Sequence, residues 1–192
     1  MAAASRGIRM VHVSSDAIFS GTDVHYDETA LPDPVTPYGA CKAAAETAVR
    51  LLHPASIVAR TSLIIGDGAS AHERLAHELA AGTREGALFT DDIRCPVHVA
   101  DLAAALWELA LTDATGVFHL AGHDAISRHE LGVLIARRDG IDPSRLPLGR
   151  RADTGLPGAL DVRLDSRASQ RRLGTRLRGA MEFLGQPPSA HG

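Results

Sequence analysis

The chain has 192 residues, of which 45% are hydrophobic and 22% charged, and its formal net charge is −3. This composition is typical of a globular protein and excludes a chain that is disordered throughout. The slightly negative net charge gives no indication of binding to nucleic acid or to an anionic membrane. Two cysteines and the lack of an apolar run of roughly 20 residues lead us to expect a cytoplasmic protein with neither a disulfide framework nor a membrane span.

The first half of the chain alternates β-branched runs with helical patterns. Residues 8–13 (IRMVHV) form a short run rich in β-branched residues, which predicts a strand covered on both faces of a parallel sheet. After a long polar loop, Thr36 as N-cap and Pro37 at the first helical position predict a helix that continues to Leu52. We expect its apolar stripe to face the sheet; the stripe consists of Cys41, Ala44, Ala45, Ala48, Leu51 and Leu52.

The remaining elements continue this alternation. A capping box formed by Ser127 and Glu130 predicts one helix start, and Gly140 follows its end. The other predicted strands are 56–65, 87–90 and 116–120, the other helices are 71–81 and 101–111, and short helices start near Ser166 and Thr175. Alternating strands and helices predict an α/β fold with a mostly parallel sheet.

The pattern Tyr38-Gly-Ala-Cys-Lys42 carries the strongest chemical signal. Residues four apart on a helix share a face, and a neighbouring ammonium favours the phenolate form that a proton-exchanging tyrosine needs. Ser14 and Ser15 come where the first strand ends, the edge at which parallel sheets bind ligands, and a hydroxyl there could bond a carbonyl oxygen. The alternative is a surface tyrosine, a solvated lysine and an ordinary strand-to-loop turn.

Several segments occur in the order that a known superfamily has them. They are SSDAIFSG at 14–21, the acidic loop with Glu28, Pro32 and Pro34, YGACK at 38–42, RTS at 60–62 and RCPVHVADL at 94–102. From residue 8 to about 184 the chain resembles the extended short-chain dehydrogenase/reductases, in the sugar-nucleotide branch typified by dTDP-4-dehydrorhamnose reductase. A family tyrosine is replaced by Ala17, a departure that bears on the substrate rather than on the reaction class.

The resemblance implies a partial Rossmann-like sheet flanked by helices, with a small C-terminal α/β substrate-binding region. It also implies NAD(P)H-dependent reduction of a 4-keto sugar nucleotide. The implied catalytic residues are Ser15, Tyr38 as the general acid, and Lys42. The implied cofactor contacts are Ser14, Tyr38, Lys42, Arg60, Thr61 and Ser62, and the implied substrate contacts are Asp16 and Arg94. For Arg94 a surface salt bridge with Asp91 or Asp92 is the equal alternative.

Family members begin with a Rossmann half that carries a glycine-rich turn, and we expect that half to be absent from these 192 residues. Residues 1–65 would then be the catalytic remainder of that domain, 66–184 mainly the substrate-binding region, and 185–192 a flexible tail. NADPH or NADH should bind such a chain weakly or not at all. Residues 66–71 match G-x-G-x-x-A, but they follow the YxxxK helix instead of preceding it, so we interpret them as part of the cleft wall.

Other functions remain open at this point. An NAD-dependent sugar-nucleotide epimerase or dehydratase would share these motifs, and so would a non-catalytic sugar-nucleotide-binding or regulatory subunit or an inactive truncated product. The expected partner is a nucleotide-sugar, with homo-oligomers possible and no metal, because His/Cys motifs with metal-ligand spacing are absent from the sequence.

Overall fold

The computed structural model describes residues 2–185. The helices are α1 (Ala2–Ser5), α2 (Pro37–Leu52), α3 (Ala71–Ala81), α4 (Val99–Ala110), α5 (Arg128–Arg138), α6 (Arg167–Gln170) and α7 (Ala180–Gly185). The strands are β1 (Val11–Ser15), β2 (His25–Tyr26), β3 (Ile57–Thr61), β4 (Ile64–Ile65), β5 (Leu88–Phe89), β6 (Ile93–Arg94), β7 (Val97–His98), β8 (Gly116–Leu120), β9 (Ile126–Ser127), β10 (Leu148–Gly149) and β11 (Arg163–Leu164).

A parallel sheet in the order β1–β3–β8 forms the centre of the molecule. Val13, Ala59 and Phe118 are aligned across it, and every residue of β3 is buried because this strand has neighbours on both sides. The other strands form pairs, of which β6–β9 is antiparallel and β2–β11, β4–β7 and β5–β10 are parallel. The predicted α/β class with a mostly parallel sheet is confirmed.

The first strand differs from its prediction. It spans Val11–Ser15 instead of 8–13, and it is only partly covered, since Ile8 is 52% and Val13 38% exposed. The reason is its position: among the described residues β1 pairs with β3 alone, so its other edge is free. The backbone N–H of Ile8 instead donates to the carbonyl oxygen of Ala3, in α1.

The face of α2 that meets the sheet was predicted wrongly. Cys41 is exposed, and Leu51 and Leu52 are 75% and 53% exposed, whereas the buried residues of the helix are Gly39 and Glu46. Gly39 allows close approach, because a Cβ there would lie 2.0 Å from the carbonyl oxygen of Ala17. An apolar stripe therefore lies on the outer side of the helix, and the inner side carries a glycine and a buried charge.

The second half of the chain packs α3, α5 and α7 around a further apolar cluster that includes Ile65, Leu88, Leu131 and Leu184. The capping box of Ser127 and Glu130 is formed as predicted. The predicted strand 56–65 is two strands, β3 and β4, and the last helix begins at Ala180 rather than near Thr175.

The division of the chain at residue 65 stays a prediction. The central sheet includes β8, and α4 packs on it, although both come after that boundary. Apart from Gly185, the predicted tail lies outside the described residues. None of the helices within residues 2–185 has the length and hydropathy of a membrane span.

Candidate functional site

The carboxyl ends of β1 and β3 open into a cleft of about 470 Å³. Five of the residues singled out from the sequence line it, namely Ser15, Asp16, Tyr38, Ser62 and Arg94. They come from four separate segments of the chain, and the parallel sheet brings these segments to one edge. The predicted convergence of Ser15, Tyr38 and Lys42 is thus only partly present, because Ser15 and Tyr38 line the cleft and Lys42 does not.

A chain of hydrogen bonds fixes the floor of this cleft. Ser15 caps the short 3₁₀ turn of residues 16–18: its Oγ accepts from the backbone N–H of Ala17 at 3.2 Å and donates to Asp16 Oδ1 at 3.3 Å. The Ser62 hydroxyl donates to Asp16 Oδ2 at 2.6 Å and accepts from the backbone N–H of Cys95 at 3.2 Å. Asp16 therefore holds β1, β3 and the segment after β6 in fixed relative positions.

Tyr38 and Lys42 lie near the start of α2, but only the tyrosine lines the cleft. The Thr36 hydroxyl accepts from the backbone N–H of Gly39 at 3.1 Å and so fixes the first turn of the helix. Tyr38 is 60% exposed. Lys42 Nζ instead donates to the carbonyl oxygen of Val13 at 2.6 Å.

The Val13 carbonyl, which accepts the hydrogen bond from Lys42, faces the free edge of the sheet. The Met10 carbonyl accepts from β3, and carbonyls alternate in direction along a strand, so that of Val13 points away from β3. A strand added at this edge would compete with Lys42 for the same oxygen.

Besides Lys42, three predicted cofactor contacts do not line the cleft. Ser14 is buried, and its Oγ has no hydrogen-bond partner within residues 2–185. The Thr61 hydroxyl donates to the carbonyl oxygen of Leu120 at 2.8 Å, which ties β3 to β8. Arg60 is 1% exposed and points into the core.

The Arg60 guanidinium forms a buried ion pair with Glu46 of α2. Its Nε lies 3.1 and 3.2 Å from the two carboxylate oxygens and its Nη2 lies 2.9 Å from Oε2. Nη1 donates to the carbonyl oxygen of Ala30. Glu46 is one turn beyond Lys42, so this pair anchors the helix of Tyr38 and Lys42 to the centre of the sheet. The RTS segment thus has a structural contact that the motif alone does not reveal.

A cluster of arginines forms another wall of the cleft. Asp92, only 2% exposed, lies 2.9 Å from Arg94, 3.3 Å from Arg128 and 3.5 Å from Arg151. Asp16 lies 3.7 Å from Arg94. Three guanidiniums therefore face two carboxylates, which leaves one positive charge in excess. The pairing of Arg94 with Asp92 foreseen as an alternative is present, but it is buried rather than on the surface.

His72 completes this wall as a neutral group. Burial and, to a smaller extent, the nearby Arg128 lower the pKa of His72 to about 4, so its ring accepts a hydrogen bond from Arg128 at 3.2 Å near neutral pH. Burial also lowers the pKa of Arg128. Sequence reasoning missed Asp92, Arg128 and His72 as a group, because they meet only through tertiary packing.

The same arginine wall borders a second, apolar pocket of about 260 Å³. His72, Asp92, Arg128 and Arg151 line both spaces; the apolar lining consists of Leu75, Ala76, Ala87, Leu88, Phe89, Leu131 and Ile135. The Nε atom of Arg151 is buried without a hydrogen-bond partner among the described residues. The geometry suits a ligand with an anionic group between a polar end and an apolar end.

The loop of residues 66–71 is not available to a phosphate. The Glu73 carboxylate accepts from the backbone N–H groups of Gly66, Gly68 and Ser70 at 3.2, 2.8 and 2.9 Å. It is also paired with Arg138 at 2.7 Å. These are the groups with which a dinucleotide fingerprint would hold a pyrophosphate, so the structure supports the interpretation that this match is coincidental.

Of the groups near the carboxyl end of β1, the exposed phenol of Tyr38 is placed to meet the nicotinamide end of a cofactor. The ammonium of Lys42, one turn further along α2, is bonded to the Val13 carbonyl, and the hydroxyl of Ser14 is buried without a partner among the described residues. Within the described residues, no cluster of three or more His, Cys, Asp or Glu side chains could hold a metal ion.

Comparison with known proteins places the chain among reductases of nucleotide-linked sugars and their relatives in sequence. The sequence model described as the RmlD substrate binding domain matches residues 1–178. A probable low-salt glycan biosynthesis reductase, Agl14 of Haloferax volcanii, is 32% identical over 161 residues, which are 80% of this chain and 53% of the relative. The dTDP-4-dehydrorhamnose reductase of Mycobacterium tuberculosis is 32% identical over 76% of this chain and 50% of its own. The chain spans about half the length of these curated relatives.

A further relative is named as a subunit of another enzyme. Methionine adenosyltransferase 2 subunit beta of Xenopus laevis is 29% identical over 153 residues, which are 75% of this chain and 46% of the relative.

Solved structures share the fold. A dTDP-4-dehydrorhamnose reductase from Bacillus anthracis in complex with NADP superposes with a TM-score of 0.83 at 23% identity, over 95% of this chain and 66% of that one. MoeE5 in complex with UDP-glucose and NAD gives a TM-score of 0.79 at 25% identity, over 96% of this chain and 65% of that one.

Proposed function

The chain belongs to the family of the RmlD substrate binding domain, and on this premise we propose that it is the catalytic and substrate-binding part of a reductase. The reaction would be the NAD(P)H-dependent reduction of a keto group, at the 4-position, on a nucleotide-linked sugar. The observation that carries the proposal is that Ser15 and Tyr38 line one cleft, beside a wall of arginines.

The roles follow from what each side chain can do. The Tyr38 hydroxyl, exposed at the cleft, would give its proton to the keto oxygen of the substrate. Ser15 would donate a hydrogen bond to the same oxygen, for which its hydroxyl must turn away from Asp16 Oδ1, a long and weak contact at 3.3 Å. A bound nicotinamide would supply the hydride to the carbonyl carbon.

Lys42 would act from the helix face that it shares with Tyr38. Once a neighbouring strand takes the Val13 carbonyl, the ammonium is free to favour the phenolate and to bind a ribose hydroxyl. Arg60 and Thr61 would support the site without touching a ligand, because both side chains are buried and bonded within the protein.

The arginine wall supports a substrate that carries phosphate. Arg94, Arg128 and Arg151 surround one carboxylate and keep a positive charge in excess, which is the environment that stabilises a bound pyrophosphate. The apolar pocket next to it would hold the group on the far side of the phosphates. The NADP of one structural neighbour and the UDP-glucose and NAD of another are consistent with this assignment.

A second candidate is a non-catalytic subunit, and the likeness to an adenosyltransferase subunit favours it. The serine, tyrosine and lysine of the site would then serve binding alone.

One experiment separates the candidates. Residues 1–192 are assayed together with a glycine-rich nucleotide-binding half, in the same polypeptide if the protein carries one, using a dTDP-4-keto-6-deoxyhexose and NADPH or NADH. A reductase consumes one cofactor per sugar reduced. An epimerase converts the sugar without net consumption of cofactor, and a regulatory subunit binds the sugar nucleotide without turnover. Either of the last two results would contradict the reductase assignment.

A further inference from the structure

A larger cavity, of about 1170 Å³, lies beside the carboxyl end of β8 and is named here the β8 cavity. Within residues 2–185 it shares no lining residue with the catalytic cleft or the apolar pocket. The segment at β6 separates the two sites: Arg94 faces the cleft and Cys95 lines the β8 cavity, because successive side chains of an extended segment point to opposite sides. The free edge of β1 is at the other side of the sheet, so pairing there leaves the cavity in place.

The floor of the β8 cavity is apolar. It is formed by Cys95, Ala121, Leu164 and Leu177, all of which are buried. Burial raises the pKa of the Cys95 thiol to about 11, so this group is uncharged near neutral pH. Such a floor suits the ring or another apolar part of a ligand.

The rim of the cavity is basic. The arginines on it are Arg163, Arg167, Arg171 and Arg176, and the one acidic lining residue is Asp165. Carboxylates hold three of the guanidiniums at 2.6 to 2.8 Å, through the pairs Arg163–Asp161, Arg167–Asp165 and Arg176–Glu182. Arg171 has no carboxylate partner among the described residues. Four guanidiniums therefore face three carboxylates, and one positive charge is in excess.

One wall of the cavity is already rigid. Gln170 donates to the carbonyl oxygen of Thr175 and accepts from the backbone N–H of Leu177, both at 2.8 Å. These bonds hold the segment after α6 in place, so the floor and rim keep their spacing. A preformed site binds its ligand with a smaller entropic cost.

We propose that the β8 cavity is a second ligand site, and that it binds a nucleoside diphosphate group with the phosphates on the arginine rim and the base on the apolar floor. Guanidiniums match phosphate oxygens in pairs of parallel hydrogen bonds, and the orienting carboxylates leave other N–H groups of each arginine available. The site is separate from the cleft of the proposed reductase function, so this proposal does not depend on that function.

The test is a titration with UDP, followed through the imidazole NMR signals of the histidines in the same protein that is used for the reductase assay. His25 and His123 line the β8 cavity, whereas His72 lines the cleft, so the two sites are observed separately. The variants His25→Gln, His123→Gln and His72→Gln assign the signals.

We expect UDP to shift the His25 and His123 signals in the wild type. In Arg163→Gln/Arg171→Gln the binding at these signals should weaken at least about tenfold, the loss expected for one or two charge-assisted hydrogen bonds. The matched control is Arg50→Gln/Arg145→Gln, which removes the same charge outside the three cavities. Inorganic pyrophosphate should bind more weakly than UDP, because it lacks the part that the floor would hold.

The proposal is overturned if millimolar UDP leaves the His25 and His123 signals unchanged, or if the double variant on the rim binds as well as the control. Equal affinity for pyrophosphate and UDP would contradict the role of the floor. A shift of His72 alone would leave the reductase proposal intact and remove this one.

Discussion

The buried pair of Arg60 and Glu46 gives a sharp prediction, because it connects the catalytic helix to the sheet. Replacing Glu46 by Gln keeps the shape of the side chain but leaves the guanidinium, 1% exposed, without its counter-charge. Breaking one partner of a buried ion pair costs about 3–5 kcal/mol. We expect the lower end of that range, about 3 kcal/mol, because the Gln carbonyl still accepts one of the three hydrogen bonds.

The measurement is urea unfolding of the protein and its variants. The matched control is Glu78→Gln, which removes the carboxylate of an exposed pair with Arg84, at 3.1 Å and with side chains 44% and 58% exposed. Such a pair contributes about 0–1 kcal/mol. The double variant Glu46→Met/Arg60→Met should recover most of the stability, since apolar groups can replace both charges. If Glu46→Gln unfolds at the same urea concentration as Glu78→Gln, the anchoring role of this pair is wrong.

Three further predictions concern acid, packing and cofactor binding. Burial lowers the pKa of His119 from 6.5 to about 4, so the contribution of this group to stability is present above pH 6.5 and is lost as the pH falls toward 4. We expect the loss to reach about 3 kcal/mol in urea unfolding and to vanish in His119→Gln. An unchanged pH dependence of stability in that variant would contradict this prediction. Gly39→Ala places a Cβ 2.0 Å from the Ala17 carbonyl, which should shift Tyr38 at the start of α2 and lower turnover about 10²-fold. Gly174→Ala should not, because its Cβ would make only an ordinary contact, 3.6 Å from Glu108 Oε1. Residues 1–192 produced alone should show no NADPH binding in calorimetry at micromolar concentrations and should self-associate in light scattering through the free edge of β1; a monomer with micromolar affinity would refute this.

Local structure could be predicted from the sequence wherever residues close together along the chain determine it. The capping box of Ser127 and Glu130, the N-cap at Thr36 and the strand at 116–120 depend on residues within a few positions of each other, and all three are present. The order of the motifs also led to the correct family and to a cleft that contains Ser15 and Tyr38.

Contacts between segments that are distant in the sequence could not be predicted in this way. The inner face of α2 was assigned to the wrong residues because Glu46 is buried by its pairing with Arg60, 14 positions away, which no hydrophobic periodicity reflects. Arg128 and Arg151 reach Asp92 from 36 and 59 positions away. Their short local segments carry no pattern that distinguishes them from solvated arginines.

The central claim is that the Tyr38 hydroxyl protonates the keto oxygen of a nucleotide-linked sugar. Removing that hydroxyl tests the claim directly. The single-turnover rate of keto-sugar reduction by NAD(P)H is compared between Tyr38→Phe and Tyr26→Phe, each assayed together with a glycine-rich nucleotide-binding half. Both variants remove one hydroxyl, but that of Tyr26 accepts backbone N–H groups of Gly21 and Asp23 away from the cleft. We predict a rate lower by about 10²–10⁴-fold for Tyr38→Phe, the usual contribution of a general acid, and a rate close to wild type for Tyr26→Phe. A near-normal rate in Tyr38→Phe would contradict the account.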